Sequence, residues 1–353
     1  MSATIKDIAE AAGVNVGAVS RTLRNHPDSM RLRRETRERI FAVARQLGYE
    51  RNLVATAMRT GVVKTIAVIL PLSENGAEIH FARSLSGILN RATHYGYGVK
   101  IYPETDLENT FSEILGGKMS CLVSMGVDPE IRSRVIAFSK RHSLKLVLCY
   151  GMPTPHFPTV DMDNFTSAVK AVDYLVSLGH RRIAFLGSRL ETQDARMRYE
   201  GYLHALKKAG ISPAPELMDF SDDFESVPEK MLLYPKKKRP TAFLTAADIR
   251  ALFAENIAVR LGRKIPQEIS FFGFGDFALG RAAFAPLSTV REFHYRIGEL
   301  ALDILLGKPV ELKPDEDNSY LIQSKLVIRK STASPEDAQK TENKDIHERR
   351  KAK

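Results

Sequence analysis

The sequence predicts a small all-α module followed by an α/β body of two doubly wound, parallel-sheet lobes with a cleft between them. Three observations predict it. Between residues 4 and 47 apolar residues recur at helical spacing in three short segments. From residue 64 onward short apolar strands alternate with amphipathic helices, and this alternation runs twice in succession. Charge is also uneven: residues 1–60 hold eleven Lys/Arg against six Asp/Glu, a net of +5 out of +10 for the 353-residue chain.

That length suits two or three domains with buried cores. No apolar run reaches the length of a bilayer span, and MSATIKDIAEAAG lacks the basic-then-apolar order of a secretion signal. A cytoplasmic protein is expected, with no membrane partner. Cys121 and Cys149 lie in the apolar runs SCLVSM and KLVLCY and are expected to be buried, reduced thiols. A basic module on a nearly neutral body points to a polyanion partner for that module.

In TIKDIAEAAG, Ile5, Ile8, Ala9 and Ala12 fall on one helical face. Thr4 is placed to cap that helix with Asp7 as its capping-box partner, and Gly13 to end it. Asn15 caps a second helix whose inward residues are Val19 and Leu23. The third, within ETRERIFAVARQLGY, repeats the spacing through Ile40, Val43, Ala44 and Leu47. Three short helices with a tight turn after the first make a helix-turn-helix, whose second helix enters a DNA major groove. Ser29 is a candidate cap for an extended third helix, which would leave Arg31, Arg33 and Arg34 for phosphates; a merely solvated basic loop is equally compatible.

TIKDIAEAAGVNVGAVSRTL closely resembles the headpiece of the LacI/GalR family of bacterial transcription regulators, and ETRERI…LGY…N…A…RTG resembles that family's third helix and hinge. The likeness continues to about residue 330. It implies that Asn15, Val16 and Gly17 face base edges, with Ser20 and Arg21 at the next polar positions. Thr4 and Arg24 join the DNA-contacting set, Arg24 standing where the family usually has Asn. LVATAMRTG resembles the hinge helix, so Asn52, Ala55, Met58 and Arg59 are expected at the minor groove, with Met58 in the wedge position usually held by Leu. Arg51 replaces the usual Pro. Within the second helix Val16 and Ala18 can touch a thymine methyl or simply allow close approach, and Gly17 removes a reading side chain.

The body divides by the same reading into 63–330, after a headpiece of 1–50 and a hinge of 51–62. Its N-lobe is expected at about 63–157 and 291–318, and its C-lobe at about 158–290 and 319–330. In such sheets ligands bind outside the carboxyl ends of strands. The resemblance extends to the family's effector core, which is periplasmic-binding-protein-like, through DMDN, LGHRRIAFLG, RYEGYLHALKKAG, IPQEISFFGFGD and PLSTV. It implies a small-molecule effector, a sugar or related metabolite, in the cleft. Arg198, which opens RYEGY, is the foremost candidate contact, followed by Asp276 and Asp248. Ala247 and Gly275 stand where the family commonly has polar residues, so Ser73, Glu74 and His80 are candidates to replace them, and an empty cleft is the alternative. His180 in GHRRI is read as a structural capping residue.

No GxSxG, HExxH, P-loop or metal-spaced Cys/His cluster is present, so no enzyme, cofactor or metal is expected. Residues 331–353 are polar and without apolar period, and are expected to be a disordered charged tail. The reading is a homodimeric, sequence-specific DNA-binding transcriptional regulator, in the repressor sense, on a pseudo-palindromic double-stranded operator. It would associate with the nucleoid when bound. The alternative is a cytosolic solute-binding or receptor protein of the same two-lobed fold.

Overall fold

The computed structural model describes residues 3–24, 27–49, 63–72, 79–188 and 190–335. It separates into two compact units, residues 1–63 and 64–353. The hinge candidates Asn52, Ala55, Met58 and Arg59, the effector candidates Ser73 and Glu74, and the segment 336–353 lie outside the described residues.

The first unit consists of α1 (Ile5–Ala12), α2 (Val16–Leu23), a 3₁₀ turn (Pro27–Arg31) and α3 (Arg34–Gln46). Its core is Ile8, Ala9, Ala12, Val19, Ile40 and Ala44, one face from each helix. Thr4 and Asp7 form a reciprocal capping box, and Gly13 turns the chain with φ 63°. Ser29 does not extend α3. It is buried in the 3₁₀ turn, where its carbonyl accepts from the Leu32 N–H, and α3 starts behind Arg33 with no side-chain cap. Residues 27–31 thus form a turn of their own ahead of α3.

The second unit holds two six-stranded sheets. The N-lobe sheet runs β11-β5-β4-β3-β1-β2 and is parallel throughout. Its strands are β1 (Thr65–Leu70), β2 (Gly98–Pro103), β3 (Cys121–Ser124), β4 (Lys145–Cys149), β5 (Thr159–Met162) and β11 (Ser319–Ile322). The C-lobe sheet runs β12-β10-β9-β8-β6-β7, antiparallel only where β12 (Lys325–Val327) joins β10 (Ser288–Arg291). Its other strands are β6 (Ile183–Leu186), β7 (Met218–Asp219), β8 (Ala242–Thr245) and β9 (Ser270–Gly275). The central apolar strands β1, β3, β4, β5, β6, β8 and β9 are buried on both faces, as helix-covered parallel sheets require, whereas the edge strand β2 is largely exposed.

Between the strands, α4 (Ile79–Tyr95), α5 (Leu107–Gly116) and α6 (Pro129–Arg141) belong to the N-lobe, joined late in the chain by α12 (His294–Leu305). The C-lobe helices are α7 (Asn164–Ser177), α8 (Gln193–Lys208), α9 (Ser226–Leu233), α10 (Asp248–Arg260) and α11 (Ala278–Arg281).

Two boundaries differ from the sequence expectation. Strands 159–162 and 319–322 belong to the N-lobe sheet: Thr159 pairs with both Leu148 and Ser319. The chain therefore leaves the N-lobe after β5, returns after β10 and leaves again after β11, each time beside the cleft. Residues 331–335 are not tail. Ser331 exchanges backbone bonds with Phe271 and Pro286, and the Ala333 N–H donates to Ser270 Oγ at 3.1 Å. Both cysteines are free and buried.

Candidate functional site

On α2 the expected reading residues divide by what holds them. Asn15 is the N-cap, its Oδ1 accepting from the Ala18 N–H at 2.7 Å, so its amide nitrogen is what remains for an outside partner. Val16 is 45% exposed, whereas Ala18 is 2% exposed and packs inward, out of reach of a thymine methyl. Arg21 lies back along the helix over Gly17. A Cβ at position 17 would stand 3.3 Å from Asn15 Oδ1 and 3.4 Å from the Arg21 guanidinium, so that side chain packs close over the glycine. Arg24 folds onto Ser20, donating to its carbonyl at 2.7 Å and its hydroxyl at 2.6 Å. Of the loop arginines, Arg31 lies 3.5 Å from Asp28 and Arg34 2.7 Å from Glu38, while Arg33 is exposed.

Between the lobes lies a cavity of about 470 Å³, walled by both sheets' carboxyl ends and by the crossovers. Arg198 is at its centre. The guanidinium is buried and donates to Asn164 Oδ1 (2.8 Å), the Ala246 carbonyl (2.5 Å) and Glu292 Oε1 (2.5 Å), with Phe274 stacked at 4.5 Å. Burial works against a charged Glu292, but Arg198, His294 and His80 together outweigh it and hold the carboxyl down to about 2. From Glu292 the polar chain continues into the N-lobe. His294 Nε2 lies 3.4 Å from Glu292 Oε2, and His294 Nδ1 lies 3.1 Å from the Tyr150 hydroxyl. Tyr150 Oη is 2.5 Å from Ser84 Oγ, which donates to the His294 carbonyl at 2.8 Å.

His80 lines the same cavity, its ring 5.5 Å from that of His294. Burial, then the charge of His294, lowers its imidazole to about 4, so it is neutral at physiological pH. Asp161 and Asp194 also face the cavity. Asp161 is 6% exposed, and its Oδ1 accepts from the Met162 N–H at 2.7 Å. Burial, with the charge of Asp194 nearby, pushes its carboxyl up to about 8.

The other two expected contacts are committed elsewhere. Asp248 accepts from Thr289 Oγ1 at 2.6 Å and the Phe277 N–H at 2.9 Å, tying α10 to β10 and to the segment after β9. Asp276 pairs with Arg291 at 2.6 Å and with Arg329. Burial would raise its carboxyl, but those guanidinium bonds hold it below its ordinary value. Neither lines the cavity. Gly275 has φ 130°, and a Cβ there would stand 2.4 Å from the Phe277 ring, so an aromatic ring occupies the space of a side chain at 275.

Residues 4–52 match the family described as bacterial regulatory proteins, lacI family, and residues 172–332 match a periplasmic binding protein-like domain. Over 343 residues the chain is 30% identical to the HTH-type transcriptional repressor CytR of Escherichia coli strain K12, covering 94% of this chain and 96% of that one. The chain belongs to the LacI family of bacterial regulatory proteins. The repressor PurR of Haemophilus influenzae is 26% identical over 345 residues, covering 94% of this chain and 99% of PurR. A lac repressor dimer bound to operator and the anti-inducer ONPF shares the fold with a TM-score of 0.73 at 23% identity, covering 94% of this chain and all of that one. A CelR–cellobiose complex does so at 0.63 and 20%, covering 93% and 99%.

This LacI-family chain is thus a DNA-binding transcriptional regulator with a two-lobed effector core. Its motifs led to Arg198 and His80 but not to Asp161, Glu292, His294 or Tyr150. One signal was present: an ionisable residue in the middle of the otherwise apolar strand TVDM is out of place unless something meets it.

Proposed function

We propose that this protein is a cytoplasmic, non-enzymatic repressor that binds a pseudo-palindromic operator as a homodimer and senses a small molecule in the interlobe cleft. Asn15, Val16 and Arg21 read base edges, and Arg33 with other basic groups of the first unit contacts phosphate. The observation that carries the effector half of this reading is the continuous polar chain Arg198–Glu292–His294–Tyr150–Ser84. It joins α8 of the C-lobe to α4 of the N-lobe through the cavity wall. A ligand that reorders one link changes how the lobes are held, and the coupling to operator affinity is worth about 1–3 kcal/mol in typical allosteric proteins.

The test is operator selection from genomic fragments, followed by binding titrations. Arg21→Ala should weaken the selected site by about 1–3 kcal/mol while weakening random DNA far less. Because Arg21 carries no core contact, its melting temperature should match the parent's. Equal loss on specific and random DNA would assign Arg21 to phosphate; absence of any sequence-preferring complex would sink the regulator reading.

A further inference from the structure

We propose that the ligand of this cleft carries a protonated amine, received by Asp161 and Asp194. The inference rests on reading the cleft as the effector site and names the chemistry of its occupant.

Proton counting along the polar chain supplies the first argument. The Ser84 hydroxyl has one proton, and the His294 carbonyl can only accept it. Tyr150 must then donate to Ser84 Oγ, so the hydrogen bond at His294 Nδ1 has to run from the imidazole to Tyr150 Oη. His294 Nε2 is left at the cavity with no hydrogen-bond partner among the described residues, although the residue is 4% exposed. With Nε2 unprotonated, that nitrogen and Glu292 Oε2, 3.4 Å away, are two acceptors that one ligand donor can bridge.

The cavity's two arginines are already paired, although Arg250 Nε has no hydrogen-bond partner among the described residues. Arg198 spends its three nitrogens on Asn164, Ala246 and Glu292, and Arg250 is paired with Asp219 at 2.7 Å and with the Ser221 carbonyl. Against them stand Asp161, whose Oδ2 receives no hydrogen bond from the described residues, and Asp194, half-buried and accepting none. Asp194 sits in the first turn of α8. The polar surface offered to a ligand is therefore rich in acceptors, and neither Asp161 nor Asp194 has an ion-pair partner among the described residues. A neutral polyol would supply donors yet bring no counter-charge for Asp194 and none that lets the buried Asp161 ionise. An ammonium supplies both. The remaining walls, Phe81, Phe274 and Phe277, suit a compact apolar or aromatic body, and Phe277 fills the place where position 275 offers no side chain.

The experiment uses the full chain and matched probes: D-glucosamine against D-glucose, putrescine against 1,4-butanediol, and phenethylamine against 2-phenylethanol. At least one amine should bind about tenfold or more tightly than its alcohol, the scale of a lost partner in a buried charge pair. Asp161→Asn and Asp194→Asn should each abolish that preference. Alcohols binding as well as amines, a preference that survives both substitutions, or failure of every amine would overturn the proposal.

A ligand-free measurement stands beside it. Asp161 is faced by Arg132, Cys149 and Tyr150 from its own lobe, by Asp194 and Arg198 from α8, and by Glu292. Its folded-state carboxyl titrates above its unfolded value, so its stabilisation is present in acid and is lost as pH rises to about 8. At pH 8 Asp161→Asn should therefore melt higher than the parent. A lower melting temperature would make Asp161 a structural residue and overturn the proposal. Operator release by a neutral polyol alone would discard the amine but keep the effector reading, whereas absence of specific DNA binding strikes the latter.

Discussion

Arg198 shows how one residue can be both the centre of the proposed ligand site and a structural pin. Its guanidinium bridges α7, the end of β8 and the β10–α12 crossover, with both ion-pair side chains buried. Truncating one member of such a pair strands the other charge, at about 3–5 kcal/mol. Arg198→Ala should therefore lower the unfolding free energy of the second unit by about that amount, read by denaturant titration. A loss below about 1 kcal/mol would show that Glu292 finds another cation.

His180 makes the pH prediction at the same scale. It is fully buried, with Nε2 donating to the Ala333 carbonyl at 3.0 Å and Nδ1 3.0 Å from Thr241 Oγ1. Burial holds it neutral and lowers its pKa to about 4. Its folded-state value is depressed, so its stabilisation is complete above the unfolded value near 6.5 and is lost as pH falls toward 4. That window is worth about 3 kcal/mol. The stability gap between the parent and His180→Gln should narrow by about that much from pH 7 to pH 4, and a constant gap would contradict it. GHRRI marked His180 as structural. Its partner Ala333 was invisible, because polar sequence after residue 330 gives no sign that a backbone carbonyl returns to the sheet.

At the scale of elements, the closest packing is at helix crossings made possible by glycine. Gly298 of α12 lies against the Ser84 carbonyl of α4, where an added Cβ would stand at 1.8 Å; Gly87 opposes Tyr295 in the same crossing, and Gly201 of α8 opposes the Phe165 carbonyl at 2.4 Å. Backbone cannot yield as a flexible side chain does, so Gly298→Ala should cost about 3 kcal/mol, the upper range for overpacking. Thermal melting checks this; a near-neutral result would mean that the helices separate freely. The crossing carries Ser84 and His294, so the same helix pair sets the far end of the cavity's polar chain.

Helices and strands were largely legible because amphipathic period and apolar runs are local. Membership of β5 and β11 was not, since an apolar strand fits either sheet and only its neighbours across space decide. RYEGY exposed both the cleft arginine and the crossing glycine, one helical turn apart. Ala18 was misjudged as a groove contact because α2 is so short that a small apolar residue fits either face of its period.

For the whole molecule, charge is divided by task. The first sixty residues carry a net +5 with most cationic groups at the surface, whereas Arg198, Glu292 and Asp161 in the cleft are buried. Surface cations act on DNA by releasing condensed counterions, and a dimer placing about three of them per headpiece on phosphates makes about six such contacts. Operator affinity should then fall by about 1000-fold between roughly 50 and 200 mM salt. Arg33, exposed at the start of α3, is not needed by the core, so Arg33→Ala should leave folding intact and reduce the steepness of log affinity against log salt by about one per protomer. Ligand binding in the cleft should respond far less, because buried charges are poorly screened. Anisotropy titrations on a labelled operator across that salt range, run for parent and variant, measure both slopes. An unchanged slope would place Arg33 off the phosphate path and move the charge contact to other arginines of the same unit.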